Sequence, residues 1–212
     1  MTKPLSRKER EKLKHRQDIM TAALKIFAEK GFHKTTMEDV AKQADFSVGT
    51  LYNFFPSKDN LHQKIMEKHL WDYYNQATSI DGSKMDLFDF LTAFLEFELD
   101  FCVNNPEFTR LFICERMEEV FVSEESFVEH FKEHVQTLPP FPEMLNQHAL
   151  LLQSGIEDGL IDQNLSVEDI MEAMRGMVRH FLWLWLADPT RFDLKDKARV
   201  ITKIFFDGVR RK

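Results

Sequence analysis

Breaks in this chain are few and widely spaced. Glycine and proline contribute 7 residues each of 212, about half the usual share of the two. That is too few to turn a sandwich or barrel every eight to twelve residues. Between the breaks, apolar residues recur at three- and four-residue spacings, the pattern of helix faces. The chain is therefore expected to be all-α. Ile19, Met20, Ala23, Leu24, Ile26 and Phe27 give a first helix from Ser6 to Lys30, with Gly31 as its stop. Thr36 or Thr35 can cap a second helix, Asp39 or Glu38 completing a capping box three residues on, and that helix ends near Ala44. Ser47 caps a third through Phe54, and Pro56-Ser57 introduces a fourth from Lys58 to about Ala77. Further breaks at Asn104-Asn105-Pro106, 123–126, 139–142, 159–166 and Asp188-Pro189 delimit five or six more helices.

Charge divides the chain as clearly as the breaks do. Residues 1–64 hold 13 Lys and Arg against 8 Asp and Glu, a net of +5; the remainder holds 15 against 27, a net of −12. A polyanion would be drawn to the N-terminal end and repelled by the rest. The N-terminus is charged throughout, and the longest apolar run, Phe181–Ala187, has seven residues, against the roughly 20 needed to span a bilayer. A soluble cytoplasmic protein is expected, with no membrane partner. Cys102 and Cys114 supply neither a disulfide framework nor a zinc cluster and read as two buried free thiols.

Three short helices with a sharp turn between the second and third meet the geometric demand for reading duplex DNA. In the third, Leu51 and Phe55 are four apart and can face inward, leaving Val48, Thr50, Tyr52 and Asn53 with outward components. Gly49 removes a side chain where close approach to DNA would otherwise be obstructed. The run from Thr36 to Leu61 resembles the helix-turn-helix of the TetR family of bacterial transcriptional regulators. Thr36, Val40-Ala41, Ser47, Gly49-Thr50-Leu51-Tyr52, Phe55 and Ser57-Lys58 fall on that family's pattern in register. Asp45 stands where Gly is usual, Phe54 where His is common, and Val48 where Lys or another polar residue is frequent.

The resemblance implies a DNA-binding domain at 12–72, its helix-turn-helix about 36–55, and a helical effector-binding and dimerisation domain at 81–212. Thr36 and Lys58 would hold phosphates on either side of the groove, with Ser47, Val48, Gly49, Thr50, Tyr52 and Asn53 on the reading helix. An N-terminal arm carrying Lys3, Arg7, Lys8, Arg10, Lys12, Lys14 and Arg16 would add contacts along the backbone or minor groove. Two such heads on a palindrome require a homodimer, which the family builds from its last two helices. Here those carry Ile170, Met174, Met177, Val178, Phe181, Leu182 and Trp185, then Val200, Ile201, Ile204, Phe205 and Gly208. These stripes can equally fill the monomer's own core.

Fifteen of the 20 Phe lie beyond residue 83. Phe94, Phe97, Phe101, Phe112, Met117 and Phe127 are the candidate lining for an apolar or aromatic small-molecule effector, with plain core as the alternative for each. The implied function is a repressor released from its palindromic operator by that effector, with no cofactor and no catalysis. The competing reading is a helical metal- or small-molecule-dependent enzyme with a non-functional head. His130 and His134, beside Glu129 and Glu133, could present metal ligands on one helix face. Against it, none of the eight His has Glu three residues before it, so the di-iron bundle motif is missing. Hydrolase, phosphate-loop and dinucleotide glycine patterns are missing too.

Overall fold

The computed structural model describes residues 4–82, 85–120 and 141–209, with 115–120, 141–147 and 209 described by backbone alone. These residues form nine helices: α1 Arg7–Lys30, α2 Met37–Ala44, α3 Val48–Phe54, α4 Lys58–Ala77, α5 Leu87–Asn104, α6 Pro106–Val120, α7 Phe141–Glu157, α8 Val167–Ala187 and α9 Lys197–Val209. Contacts gather them into two compact units. The first, the head, holds the chain up to Leu70 together with α6 from Glu107. The second, the body, holds Trp71–Pro106 with α7, α8 and α9.

Helix boundaries in the head follow from local capping chemistry. Ser6 and Glu9 form a reciprocal capping box that starts α1, the Ser6 N–H donating to the Glu9 carboxylate at 2.7 Å. Thr36, not Thr35, caps α2 and pairs with Asp39 in the same way. Thr35 is instead buried, its hydroxyl donating to the Gly31 carbonyl at 2.8 Å. The turn after α2 is made by Asp45 at φ 58°, a left-handed conformation that Asp adopts more readily than most residues. Glycine's role at this turn is thus filled by a residue that can also occupy it. The Ser47 hydroxyl accepts the Thr50 N–H at 3.1 Å and starts α3.

The head closes around one apolar core. Ile19, Ala23 and Phe27 of α1 meet Val40 and Ala41 of α2, Leu51 of α3, Phe55 just beyond it, and Leu61 and Ile65 of α4. Leu111 of α6 joins them, a contribution from outside the 12–72 segment. Each large side chain buried here is worth about 1.5–3 kcal/mol.

In the body, α9 packs on α5 and α8, and α7 packs on the same two helices. Leu91, Leu152, Ile161, Ile170, Phe205 and Phe206 make the core, while Glu96–Arg199 and Asp100–Lys195 pair across α5 and the α9 end at 2.9 Å. The two apolar stripes on α8 and α9 are divided in use. Ile170, Val178, Leu182, Trp185, Ile201 and Phe205 are buried in the chain itself, whereas Trp183, Val200 and Ile204 are exposed. Gly176 and Gly208 have open space where a Cβ would stand. The expectation of two buried thiols is corrected: Cys102 is half-buried and Cys114 exposed, because Leu111 and Ile113 take the buried positions of α6. No helix among the described residues is long and apolar enough to cross a membrane.

His148 of α7 lies against the rings of Phe94 and Phe90, with centroids 4.1 and 5.9 Å away. Burial, with the Arg175 charge adding to it, pushes the imidazole down to about 4. An unfolded histidine titrates near 6.5, so between these values the unfolded chain takes up a proton that the folded body refuses. Stability contributed by this site is therefore full above about pH 6.5 and falls as pH drops toward 4, by about 3 kcal/mol in all. Thermal unfolding followed from pH 7 to pH 4.5 should show this loss in the wild type and a shallower one in His148→Leu.

Candidate nucleic-acid interface

The side chains expected to face DNA divide into those the head leaves outside and those it uses. Helix α3 has seven residues. Leu51 within it and Phe55 at its end are 0% exposed, and Val48 and Phe54 pack partly against the same core. What remains outward is Ser47, Gly49, Tyr52 and Asn53, all exposed, with Tyr52 at 50%. Thr50 is half-buried, and its hydroxyl lies 2.8 Å from that of Ser47. Gly49 is exposed, and a Cβ there would find only the Ser47 Oγ, 4.0 Å away.

Thr36 is exposed at the start of α2, as expected, but its polar groups already have a partner. Its N–H and its hydroxyl both donate to the Asp39 carboxylate at 3.1 Å. Lys30 completes that site from the end of α1 at 2.9 Å. The Lys30 contact, with the N–H and hydroxyl of Thr36, holds the Asp39 carboxyl down to about 2. An anion of the chain's own thus occupies the positive end of α2.

Lys58 is likewise engaged within the head. Its ammonium donates to the carbonyls of Phe32 at 2.8 Å and Thr35 at 2.9 Å, with that of His33 at 3.5 Å. The same nitrogen sits 4.4 Å from the centre of the Phe32 ring, and the other side of this cluster is filled by Phe27 and His62. Lys58 therefore ties the start of α4 to the loop between α1 and α2. Sequence spacing could not reveal this, since the two segments are 23 to 26 residues apart.

The basic N-terminal arm is, as the helix expected from Ser6 to Lys30 implies, largely the first part of α1. Arg7, Lys8, Arg10, Lys12, Lys14 and Arg16 lie inside α1, whose capping box carries the helix back to Arg7. Arg16 lies over the Phe55 ring at 4.5 Å; the residues from Arg7 to His15 are exposed. Lys3 lies outside the described residues. Two cations passed over in the sequence, Lys34 just before α2 and Lys42 within its last turn, are exposed; their position on and beside a capped helix was the available signal.

In the body, Phe94, Phe97 and Phe101 form a run of ring contacts along α5, and Tyr73 lies 5.1 and 5.2 Å from the last two. Burial first, then the charges of Glu98 and Cys102, pushes the Tyr73 phenol well up. Phe112 belongs to the head unit, in contact with Phe108. The Met117 side chain and Phe127 lie outside the described residues, as do His130 and His134. A surface groove of about 360 Å³ in the body is lined by Glu96, Asp100, Lys195, Asp196 and Arg199, and none of the expected aromatic residues lines it.

Residues 19–65 match the family model described as bacterial regulatory proteins, tetR family. The chain is 18% identical over 194 residues to the fatty acid metabolism regulator protein of Bacillus subtilis, covering 92% of this chain and 95% of that one. The structure of the fatty acid degradation regulator FadR from Bacillus halodurans superposes with a TM-score of 0.73 at 18% identity, over 99% of this chain and 100% of that one. FadR from Bacillus subtilis in complex with stearoyl-CoA gives a TM-score of 0.73 at 18% identity, over 92% and 99%. At such identities the structural likeness is one of fold.

Replacing Lys58 by Met keeps the stem and removes the ammonium, leaving carbonyls in a half-buried loop without their donor. The head should lose about 2 kcal/mol of stability, read as an earlier melting transition, while the salt dependence of DNA binding stays as it was. A residue that gripped phosphate would behave oppositely, leaving stability intact and flattening the salt slope by about two for a dimer.

Proposed function

Because this chain belongs to the TetR family of bacterial regulatory proteins, we propose that it is a homodimeric transcriptional repressor that leaves a palindromic operator when a small effector enters its body. The observation that carries the DNA-binding part is Gly49. Glycine inside a helix costs up to about 1 kcal/mol relative to alanine. Nothing among the described residues calls for it: the nearest atom a Cβ would meet is 4.0 Å away, and the positive-φ glycines among them are Gly31 and Gly159. A partner lying close against α3 accounts for it. Thr36, Ser47, Val48, Thr50, Tyr52, Asn53 and Lys58 then frame that contact, some by touching DNA and some by holding α3 in place. Lys34, Lys42 and the exposed cations of α1 supply the phosphate attraction.

Dimerisation uses what the body leaves outside on α8 and α9. Val200, Ile204 and Gly208 are spaced four apart on one face of α9, and Ile204 is 55% exposed. An apolar row of this kind suits a two-fold partner, and Gly176 and Gly208 permit close approach. Two heads then address half-sites about 34 Å apart or a multiple of it. For the effector, the aromatic run Phe94–Phe97–Phe101 supports an apolar or aromatic molecule, and the stearoyl-CoA bound by the Bacillus subtilis relative makes long acyl chains the first to try. DNA and effector would oppose one another with equal coupling in both directions.

Gel shifts on palindromic DNA from beside the protein's own gene test the reading directly. Gly49→Ala should fold at least as well as the wild type yet bind that DNA at least ten-fold more weakly; undiminished binding would remove the central support. Ile204→Asp should sediment as a monomer and lose the preference for paired half-sites. Titration with stearoyl-CoA and with free stearate should release the DNA if acyl chains are the effector class.

A further inference from the structure

From Phe46 to Ser57 no residue carries a charge. This stretch holds the whole of α3 and both of its ends, so whatever α3 reads, it reads without arginine, lysine, aspartate or glutamate. Guanine presents two acceptors, N7 and O6, to the major groove, and the fork of Arg or the ammonium of Lys is what usually meets them. Neither is available here. The cations nearest in sequence, Lys42 and Lys58, belong to α2 and α4, and Lys58 is held by backbone carbonyls.

The remaining polar groups can be sorted by what they are able to distinguish. The hydroxyls of Ser47 and Thr50 face one another at 2.8 Å, and Ser47 also accepts the Thr50 N–H. Both are occupied in starting the helix. The Tyr52 hydroxyl is a donor and an acceptor at once, so it fits any base edge or a phosphate and selects little. Asn53 is exposed and differs from the others in kind: its amide offers one donor and one acceptor side by side, the complement of adenine N7 and N6. Val48 and Thr50 add methyl groups, whose natural counterpart in the groove is the thymine methyl.

We infer that α3 selects A·T pairs, with Asn53 reading adenine and the methyls of Val48 and Thr50 favouring neighbouring thymine, so that the core of each half-site is free of guanine contacts. The inference rests on the proposal that α3 faces the major groove. It narrows the DNA sought from any palindrome to one with A·T-rich reading positions.

The test is selection from random double-stranded DNA with the full-length chain, followed by the same selection with Asn53→Ala. The expected result is a symmetric motif whose Asn53-dependent positions are A·T and lose their preference in the variant. Placing 7-deazaadenine at those positions should weaken wild-type binding about 5- to 100-fold and leave Asn53→Ala unaffected. Replacing the adjacent thymine by uracil should weaken binding several-fold. A motif with guanine at the Asn53-dependent position, or one that Asn53→Ala leaves unchanged, overturns the inference and leaves DNA binding standing. Failure to enrich any sequence, even at low salt, overturns both.

Discussion

A seven-residue helix does not hold itself together in water, because nucleating a helix is costlier than so few turns return. That α3 exists at all depends on the burial of Leu51 and Phe55 in the head core and on the Ser47 cap. The same anchoring decides what α3 can show. With two of its positions driven fully inward and Phe54 leaning on the core, the outward face is reduced to Gly49, Tyr52, Asn53 and the uncovered parts of Val48 and Thr50. The chemistry available for recognition is the residue of a packing requirement.

A second consequence concerns charge. The N-terminal segment carries a surplus of cations, yet the head uses several of them on itself. Lys58 closes over loop carbonyls, Lys30 neutralises Asp39, and Arg16 lies on Phe55. These contacts tie α4 to the loop between α1 and α2, α1 to α2, and α1 to the residue that closes α3. The surplus left for a polyanion is carried by Lys34, Lys42 and the exposed length of α1. Under the proposed function, electrostatic attraction and sequence reading fall to different elements, the cations to α1 and α2 and the reading to the uncharged stretch 46–57.

Legibility followed the range of the interaction. The Ser47 cap, a cap at Thr36 or Thr35, and the ends of α1 to α4 could be read because each involves residues three or four apart. Asp45 could be recognised as the turn residue because its own backbone preference accounts for it. The role of Lys58 was hidden, since its acceptors lie more than twenty residues upstream. In the body, the wide stripes on α8 and α9 announced apolar burial without saying which half would be covered by the chain itself.

The amino-acid order alone determined the helical class, the placement of the breaks, the basic head and acidic remainder, and the inward turn of Leu51 and Phe55. Periodicity, capping and charge are local, and each acts over a few residues. The tertiary structure alone decided which polar groups are left over: that Thr36 and Lys58 are bound within the head, that Cys114 is exposed, that His148 lies against the Phe94 and Phe90 rings, and that Gly49 faces open space. Each of these depends on which distant segment arrives beside a given side chain, and that is set only when the core closes.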